Sequence, residues 1–234
     1  MRAPAIEGSP IALPNLEERG FTFDDPAHWL ASRRWQARAK RVLDFVVALS
    51  LLALLSPLFA VVALAIKLAS AGQVFFRQER EGQGGKRFSM FKFRSMRAGG
   101  AAELDAQQVA LATRGTLVKM RQDPRVTALG RWLRMTSIDE MPQLWNVLRG
   151  DMSLVGPRPL IPFMLESHPD FRRARALVRP GITGLWQLRD RSNNNTAAAM
   201  LPHDLEYLAG FSLKQDLSIL LRTIPAVLTG RGAF

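Results

Sequence analysis

The sequence predicts a mainly helical α+β protein that combines a re-entrant membrane helix and interfacial helices with a small β-hairpin or sheet around a functional site. An uncharged apolar run from Phe45 to Ile66 predicts the membrane segment. Two strand-like runs that flank a glycine-rich turn, within Gln73–Met96, predict the hairpin. Spaced charges in the apolar stretch Leu205–Leu228 are typical of amphipathic helices that pack on the body or lie at an interface.

The composition limits the partners and the chemistry. The chain of 234 residues, enough for one domain with appendages, has 32 Lys and Arg against 20 Asp and Glu. The net charge of +12 favours an anionic partner: nucleic acid, anionic lipid or phosphorylated substrates. The absence of cysteine excludes disulfides, thiolate metal sites and a cysteine nucleophile. His28, His168 and His203 are scattered along the chain, so a histidine-rich metal site is not expected.

Residues 1–35 are expected to form a polar N-terminal extension, with prolines at positions 4, 10, 14 and 26. Its first part, Met1–Asn15, has neither the apolar core nor the basic leader of a secretory signal. Trp29 and Trp35 could dock on the body or at a membrane interface, and the sequence does not choose between the two.

The membrane segment, residues 36–72, is expected to bend near its middle. As a straight helix, Phe45–Ile66 would be roughly 33 Å long, about one hydrocarbon thickness, so a spanning helix is the default interpretation. Ser56-Pro57 interrupts the run, and proline removes a backbone donor and disfavours helical geometry in the residue before it. Ser56 could satisfy the carbonyl that the proline leaves free.

The charges on both sides of the apolar run favour a re-entrant path. Positive flanks tend to stay on the cytoplasmic side, and both flanks are positive here. A helix that turns at Ser56-Pro57 and returns to the same face satisfies both, while a spanning helix with a mild kink is the alternative. The basic residues are Arg33, Arg34, Arg38, Lys40 and Arg41 before the run and Lys67, Arg77, Arg80, Lys86 and Arg87 after it.

Three charged residues stand at the start of the apolar run. Lys40 and Arg41 precede Asp44 by four and three residues, spacings that bring side chains together on a helix. They could form an interfacial cluster, or they could be ordinary solvated charges beside a membrane segment.

In the hairpin, the turn Gly82–Gly85 separates Val74-Phe75-Phe76 from a second strand that begins at Phe88. Lys92 and Arg94 are two residues apart, so they share one face of an extended strand and could grip a phosphate. A solvated strand face is the alternative interpretation.

Thr136–Glu140 carries the most informative local pattern. Ser137 followed three residues later by Glu140 fits a capping box, which predicts a helix over Met141–Leu148 with Asp139 and Glu140 at its start. Acids at a helix start are routine dipole partners. The same position would also present an ionised Asp139 to a phosphate as a nucleophile, with Arg134 to neutralise the incoming charge.

A set of motifs extends from the membrane segment to the C-terminal third of the chain. Together they resemble the monotopic phosphoglycosyl transferases, also called bacterial sugar transferases, over roughly residues 38 to 232. The stretch from Thr136 to Pro159 is the most specific. The motifs are Lys40-Arg41, Asp44, Ser56-Pro57, Phe76–Arg80, Gly85-Lys86, Lys92–Met96, Asp123–Arg125, Leu129–Ser137, Asp139–Leu148, Gly150–Pro159 and Arg179–Gln187.

The resemblance implies transfer of a sugar 1-phosphate from a UDP-sugar to polyprenol (undecaprenyl) phosphate, the first membrane step of exopolysaccharide, O-antigen or glycoconjugate synthesis. Asp139 would attack the sugar-side phosphate and release UMP, and polyprenol phosphate would then attack the phosphosugar–aspartyl intermediate. Glu140 would be a metal or orienting group. Mg²⁺ is expected, with Asp139 or Glu140 in its coordination shell.

The resemblance also implies binding residues and a location. Lys92, Arg94 and Arg134 match basic positions suited to phosphate contact, and Pro157-Arg158-Pro159 matches a segment linked with uridine nucleotide binding. The family's re-entrant helix, bent at a Ser-Pro pair, enters one leaflet only. Residues 73–234 would then form a cytosolic catalytic domain with interfacial helices, on the cytoplasmic face of the bacterial inner membrane.

Two departures from the family pattern bear on sugar specificity rather than on the reaction. Met200 stands four residues before Asp204, where the family usually has arginine, and Asn193–Asn195 is atypical. Glucose, galactose and N-acetylated amino sugars, the glycan pathway and the oligomeric state all stay open.

Two rival functions fit part of the sequence. A non-catalytic membrane scaffold that binds anionic lipid would explain the charge and the apolar segment, but not the Asp139-Glu140 block. A nucleic-acid partner is not expected, because the basic residues are spread along the chain without a recognition motif.

Overall fold

The computed structural model describes residues 29, 31–97, 123–166, 169–189 and 196–228. The expectations for residues 1–28 and for Asn193–Asn195 lie outside these ranges.

The described chain is mainly helical with two small sheets, as the sequence predicts. A short 3₁₀ turn, Ile138–Glu140, separates α2 from α3, and two more lie at Gln83–Gly85 and Pro162–Leu165. In chain order the main elements are α1 (Arg34–Ala69), β1 (Phe75–Glu81), β2 (Arg87–Phe93), α2 (Ala128–Met135), α3 (Gln143–Arg149), β3 (Ser153–Val155), α4 (Pro169–Arg175), β4 (Gly181–Thr183), α5 (Leu185–Arg189), α6 (Ala197–Ala209) and α7 (Leu213–Leu228).

Helix α1 continues through Pro57 without a gap, so the predicted break is not an interruption of the helix. The Ser56 hydroxyl donates to the Ala53 carbonyl at 2.8 Å, which is the carbonyl that loses its N–H partner to Pro57. This confirms the role expected for Ser56. Among the described residues, α1 is the helix long and apolar enough to cross a membrane, judged by length and composition alone.

Both halves of α1 pack against the rest of the chain. Lys40, Asp44 and Ala48 are buried before Pro57, and Val62 and Ile66 are buried after it. Exposed apolar side chains lie on the same helix, as expected of a segment that faces lipid. They include Val46, Leu49, Leu54, Val61, Leu64 and Leu68.

The predicted hairpin is confirmed. Strands β1 and β2 pair antiparallel, with Phe76 opposite Lys92 and Arg80 opposite Phe88. Gly84 and Gly85 turn the chain with φ of 69° and 70°, values that glycine adopts without a steric cost.

Aromatic side chains fix the hairpin to α1. The Phe93 ring lies 5.3 Å from the Phe59 ring of α1 and 5.3 Å from the Phe75 ring. Helix α1 and the start of the hairpin therefore share one apolar cluster, with Leu133 of α2 in the same core.

The motifs Gly150–Pro159 and Arg179–Gln187 meet as a parallel pair of strands. Ser153 lies opposite Gly181, and Val155 lies opposite Thr183. A Cβ added to Gly181 would stand 2.1 Å from the backbone nitrogen of Gly156, so this approach requires glycine.

Helix α7 has two distinct faces. Asp216 and Ile219 are buried, whereas Leu217, Leu221 and Ile224 are exposed at spacings of four and three residues. This exposed apolar face is typical of an interfacial helix. In the N-terminal region, Trp29 is buried against the Phe211 ring at 5.5 Å, while Trp35 stays exposed.

Candidate active site

Asp139 and Glu140 lie on the 3₁₀ turn that precedes α3. Ser137 starts this turn in the left-handed region (φ 57°, ψ 15°) and is the one positive-φ residue other than glycine in the described chain. Residues with a side chain adopt this conformation at a cost, and it is frequent at functional sites. The predicted capping box is wrong, because Ser137 makes no side-chain cap and its carbonyl accepts the Glu140 N–H at 3.2 Å.

The helix after the pair begins slightly later than expected. It spans Gln143–Arg149 and ends at Gly150, which has a φ of 86°. Asp139 and Glu140 therefore stand before the helix rather than in its first turn. Their chemistry then depends on the side chains around them more than on the helix dipole.

Glu140 joins two of the basic residues named from the sequence. Its Oε1 lies 2.7 Å from the Lys92 Nζ of β2 and 3.8 Å from an Nη of Arg158. The structure thus brings together residues 48 and 18 positions apart in the chain. Asp139 itself is 8 % exposed, so the pair sits in a partly desolvated environment where charge interactions are strong.

Arg158 is held from two sides. Its guanidinium lies over the Trp186 ring of α5, with 5.6 Å to the ring centroid. Its backbone carbonyl accepts a hydrogen bond from the Arg175 guanidinium, which forms an ion pair with Asp204 at 2.5 Å. Pro157 and Pro159 flank Arg158 and are buried. The Pro157-Arg158-Pro159 segment therefore presents one cation toward Glu140 in a fixed direction.

The departure at Met200 has a structural explanation. Met200 is buried in an apolar core with Trp186 and Phe171, and Asp204 receives its cation from Arg175 of α4 instead. Burial raises the pKa of Asp204 to about 6, although Arg175 and then His203 lower it. The aspartate therefore has an arginine partner, but from another helix.

Arg80 is a basic residue of this site that sequence reasoning did not select. It lies at the end of β1 and is 7 % exposed. Burial, followed by the nearby charge of Arg158, lowers the pKa of Arg80 to about 9, while Glu140 raises it. The sequence alone does not show that Arg80 belongs to the site, because only the pairing register of β1 with β2 places Arg80 and Lys92 on one face of the hairpin. We call Asp139, Glu140, Lys92, Arg158 and Arg80 the active-site cluster.

Arg94 and Arg134 have structural partners. Arg94 donates to the carbonyls of Ile66, Ser70 and Ala71, so it closes the C-terminal end of α1, and phosphate contact by Arg94 stays a prediction. The Arg134 Nε donates to the Ser95 hydroxyl at 2.9 Å, and phosphate contact by Arg134 stays a prediction.

The residues at the start of the membrane segment form a separate cluster. The Lys40 Nζ lies 2.7 Å from Asp216 of α7, whose other carboxylate oxygen accepts the Tyr207 hydroxyl at 2.8 Å. Asp44 accepts the Leu154 N–H at 3.1 Å and lies 3.9 Å from Lys40.

Arg41 completes this second cluster by donating to the carbonyls at the end of α3, Val147 at 2.5 Å and Leu148 at 2.8 Å. The interpretation as solvated flanking charges is wrong, because Lys40 and Asp44 are buried. We call Lys40, Arg41, Asp44, Tyr207 and Asp216 the helix-anchoring cluster.

The carboxylates offer only part of a metal site. Within the described ranges, no group of three or more His, Cys, Asp or Glu side chains could hold a metal ion. Hard carboxylate oxygens suit Mg²⁺, which commonly takes one or two protein carboxylates and completes its shell with water and substrate phosphates. Asp139 and Glu140 fit that pattern, and Lys92 and Arg158 lie beside Glu140.

Comparison with known proteins gives one consistent result. The model of the bacterial sugar transferase family matches residues 35–230. The UDP-glucose:undecaprenyl-phosphate glucose-1-phosphate transferase of Caulobacter vibrioides is 46 % identical over 206 residues, which cover 83 % of this chain and 72 % of that protein.

Two further relatives extend the range of sugars and lengths. The exopolysaccharide production protein ExoY of Rhizobium meliloti is 40 % identical over 204 residues, covering 84 % of this chain and 88 % of that protein. The undecaprenyl-phosphate galactose phosphotransferase of Salmonella typhimurium is 38 % identical over 200 residues, covering 83 % of this chain but 41 % of that longer protein.

Proposed function

The chain belongs to the bacterial sugar transferase family and is a transferase, and we propose that it moves a sugar 1-phosphate from a UDP-sugar to undecaprenyl phosphate through a covalent intermediate on Asp139. The observation that carries this proposal is the active-site cluster: a buried carboxylate beside Glu140, which two cations hold in place. Substrates with several phosphates need such a cationic environment.

In the first step, a carboxylate oxygen of Asp139 attacks the sugar-side phosphorus of the donor. The bond from this phosphorus to the bridging oxygen breaks, and UMP leaves with the electron pair. Lys92 and Arg158 neutralise charge on the phosphate oxygens, and they orient Glu140 beside the nucleophile. An acyl phosphate on Asp139 conserves the energy of the broken bond for the second transfer.

In the second step, an oxygen of undecaprenyl phosphate attacks the same phosphorus and Asp139 leaves as a carboxylate. The product is undecaprenyl diphosphate sugar, and the enzyme returns to its starting state. Because Asp139 carries the phosphosugar between the two steps, the two substrates need not be bound at the same time. The relatives that act on glucose and galactose support a hexose donor of this kind.

Mg²⁺ would be held by Asp139, with Glu140 as a second candidate ligand, and by phosphate oxygens of the donor. When bound, it neutralises diphosphate charge and stabilises the leaving nucleotide. Lys92 and Arg158 would help to neutralise the charge on the sugar-side phosphate, since both already lie at Glu140.

The direct test is capture of the covalent intermediate. Detergent-solubilised protein is incubated with UDP-glucose or UDP-galactose and Mg²⁺, without lipid acceptor, and its intact mass is measured. The wild type should gain the mass of one hexose phosphate, and Asp139→Asn should gain none. The control Asp151→Asn changes a carboxylate outside the active-site cluster and should keep the adduct. An adduct of equal yield in Asp139→Asn would refute the assignment.

The proposed location is the cytoplasmic face of the inner membrane, with α1 entering one leaflet and returning. The support is that α1 contacts the same body on both sides of Pro57: Lys40 with Asp216 before it, and Phe59 with Phe93 after it. A helix that crossed the bilayer would place those contacts on opposite membrane surfaces. The exposed apolar face of α7 fits the same interface.

Single-cysteine labelling tests this topology, and the chain offers a background without cysteine. Ser32→Cys and Ser89→Cys place exposed thiols before α1 and on β2. Both should resist a membrane-impermeant thiol reagent in intact spheroplasts and react after permeabilisation. Reaction of only one of them in intact spheroplasts would show that α1 spans.

A further inference from the structure

Arg80 is buried, yet most of its hydrogen-bonding capacity is unused. One terminal nitrogen donates to Gln78 Oε1 at 2.5 Å. In the part of the chain that the structure describes, the Arg80 Nε and Nη1 have no hydrogen-bond partner. A buried guanidinium normally saturates its five donors, since desolvated charge without a partner is costly. Unused donors in a buried arginine therefore point to a ligand.

The register of the hairpin places Arg80 in the active-site cluster. Residues directly opposite each other in antiparallel strands project from the same face, and alternate residues share that face. Phe76, opposite Lys92, is four residues before Arg80, so Lys92 and Arg80 project from one face. This is the face from which Lys92 reaches Glu140.

Lys92 and Arg80 lie at different distances from helix α1 along the hairpin. The hairpin begins at Phe75, which packs through Phe93 onto Phe59 of α1. Arg80 is five residues further along β1, roughly 17 Å at the rise of an extended strand. It is therefore near the end of the hairpin that is remote from α1, where the Glu81 N–H bonds to the Leu160 carbonyl of the body.

The charges of the cluster do not balance. Lys92, Arg158 and Arg80 supply three positive charges against the carboxylates of Asp139 and Glu140. The low pKa of Arg80, about 9, reflects burial first and repulsion from Arg158 second. Arg80 still carries its charge at neutral pH, and a bound anion would relieve that repulsion. The site as it stands thus favours a further negative group.

We propose that Arg80 binds the nucleotide-side phosphate of the donor, the group that leaves as UMP. The inference rests on the proposed function, in which Asp139 attacks the sugar-side phosphate. The next phosphate of the donor then lies further from the nucleophile, and the soluble nucleotide extends away from the membrane, toward Arg80. To reach it, the guanidinium turns away from Gln78, which is a side-chain rotation.

Arg80 acts on the bond that breaks in the first step. As the phosphorus–oxygen bond to UMP breaks, negative charge accumulates on the leaving phosphate. The Arg80 Nε and Nη1 would donate charge-assisted hydrogen bonds to the leaving phosphate and neutralise its charge. The residue would therefore contact the leaving group, whereas Lys92 and Arg158 serve the phosphorus that Asp139 attacks.

Binding of UMP and of uridine, measured by calorimetry on the full-length protein in detergent, tests this role without any chemical step. Arg80→Met should weaken UMP binding by about tenfold to hundredfold, the loss expected for hydrogen bonds to a charged group. Uridine, which lacks the phosphate, should bind Arg80→Met and wild type equally. Arg80→Lys keeps the charge and should retain part of the affinity for UMP.

The control is Arg87→Met, which removes an exposed arginine of the same hairpin that pairs with Glu79 at the surface. It should bind UMP as the wild type does. Unchanged UMP affinity in Arg80→Met would overturn the proposal, and so would an equal loss for UMP and uridine, which would indicate a structural role. Asp139→Asn should still bind UMP, so failure of the covalent mechanism and failure of this inference are distinguishable.

Discussion

Among the described residues, the helix-anchoring cluster and the active-site cluster are both groups of buried or partly buried charged side chains, and they differ in how their charges are balanced. In the helix-anchoring cluster, Lys40 pairs with Asp216 and lies 3.9 Å from Asp44, while Arg41 donates to backbone carbonyls, so its two cations equal its two carboxylates in number. In the active-site cluster, three cations face two carboxylates, and Arg80 keeps unused donors. The cations of the first cluster therefore need no ligand, and the group there without a hydrogen-bond partner in the described chain is a carboxylate oxygen, Asp44 Oδ2. The second becomes neutral only when an anion binds.

The partners of each cluster explain this difference. Lys40 and Arg41 bind groups that cannot leave: a carboxylate on α7 and backbone carbonyls at the end of α3. These contacts fix the membrane helix to the body. Lys92 and Arg158 both converge on Glu140, beside the proposed nucleophile. A change in the first cluster should therefore alter stability, and a change in the second should alter catalysis.

The largest expected effect comes from Lys40→Met in the helix-anchoring cluster. It leaves the buried carboxylate of Asp216 without its cation at 2.7 Å, and Asp44 loses its nearest positive charge. Breaking one side of a buried ion pair typically costs about 3–5 kcal/mol. Denaturant or thermal unfolding in detergent should show this loss, while the KM for the donor of the remaining folded enzyme stays unchanged.

Lys214→Met is the matched control for that substitution, since Lys214 is an exposed lysine on the same helix as Asp216. Its stability should stay within about 0.5 kcal/mol of the wild type. If Lys40→Met were no less stable than Lys214→Met, the helix-anchoring cluster would not hold α1 to the body.

Local sequence patterns predicted the elements well and their partners poorly. The apolar run, the strand-like runs with their glycine turn and the apolar stretch of α7 each depend on neighbouring residues, so α1, the hairpin and helix α7 were predictable. The pairing of Lys40 with Asp216 joins residues 176 positions apart, and no spacing rule encodes it. The same limit hid the contact between Asp44 and the Leu154 N–H.

The incorrect expectation of a capping box has the same origin. A serine three residues before a glutamate looks identical whether the serine caps a helix or, like Ser137, turns in the left-handed region. The contacts of Arg94 show the same limit, because β2 ends at Phe93 and Arg94 donates to a carbonyl at the end of α1, which its spacing from Lys92 does not encode. Arg80 was missed because only the strand register shows that it shares a face with Lys92.

Glu140→Gln is expected to have a smaller effect than Lys40→Met. It sharpens the contrast between the clusters because it should lower kcat without lowering the affinity for UMP. The substitution keeps the shape of the side chain but removes the charge that holds Lys92 at 2.7 Å and Arg158 at 3.8 Å. Misplacement of such groups costs about a hundredfold in kcat. With one negative charge fewer, the site becomes more cationic, so UMP should bind at least as tightly as in the wild type. Steady-state kinetics measure kcat, and calorimetry measures the affinity for UMP.

Glu79→Gln is the control for Glu140→Gln, because Glu79 is an exposed acid of the same hairpin and pairs with Arg87 at the surface. It should leave kcat and UMP binding unchanged. A Glu140→Gln variant that lost UMP affinity in parallel with kcat would indicate that Glu140 supports the structure of the whole binding site. The active-site cluster would then stabilise the fold as the helix-anchoring cluster does, and the contrast between the two clusters would fail.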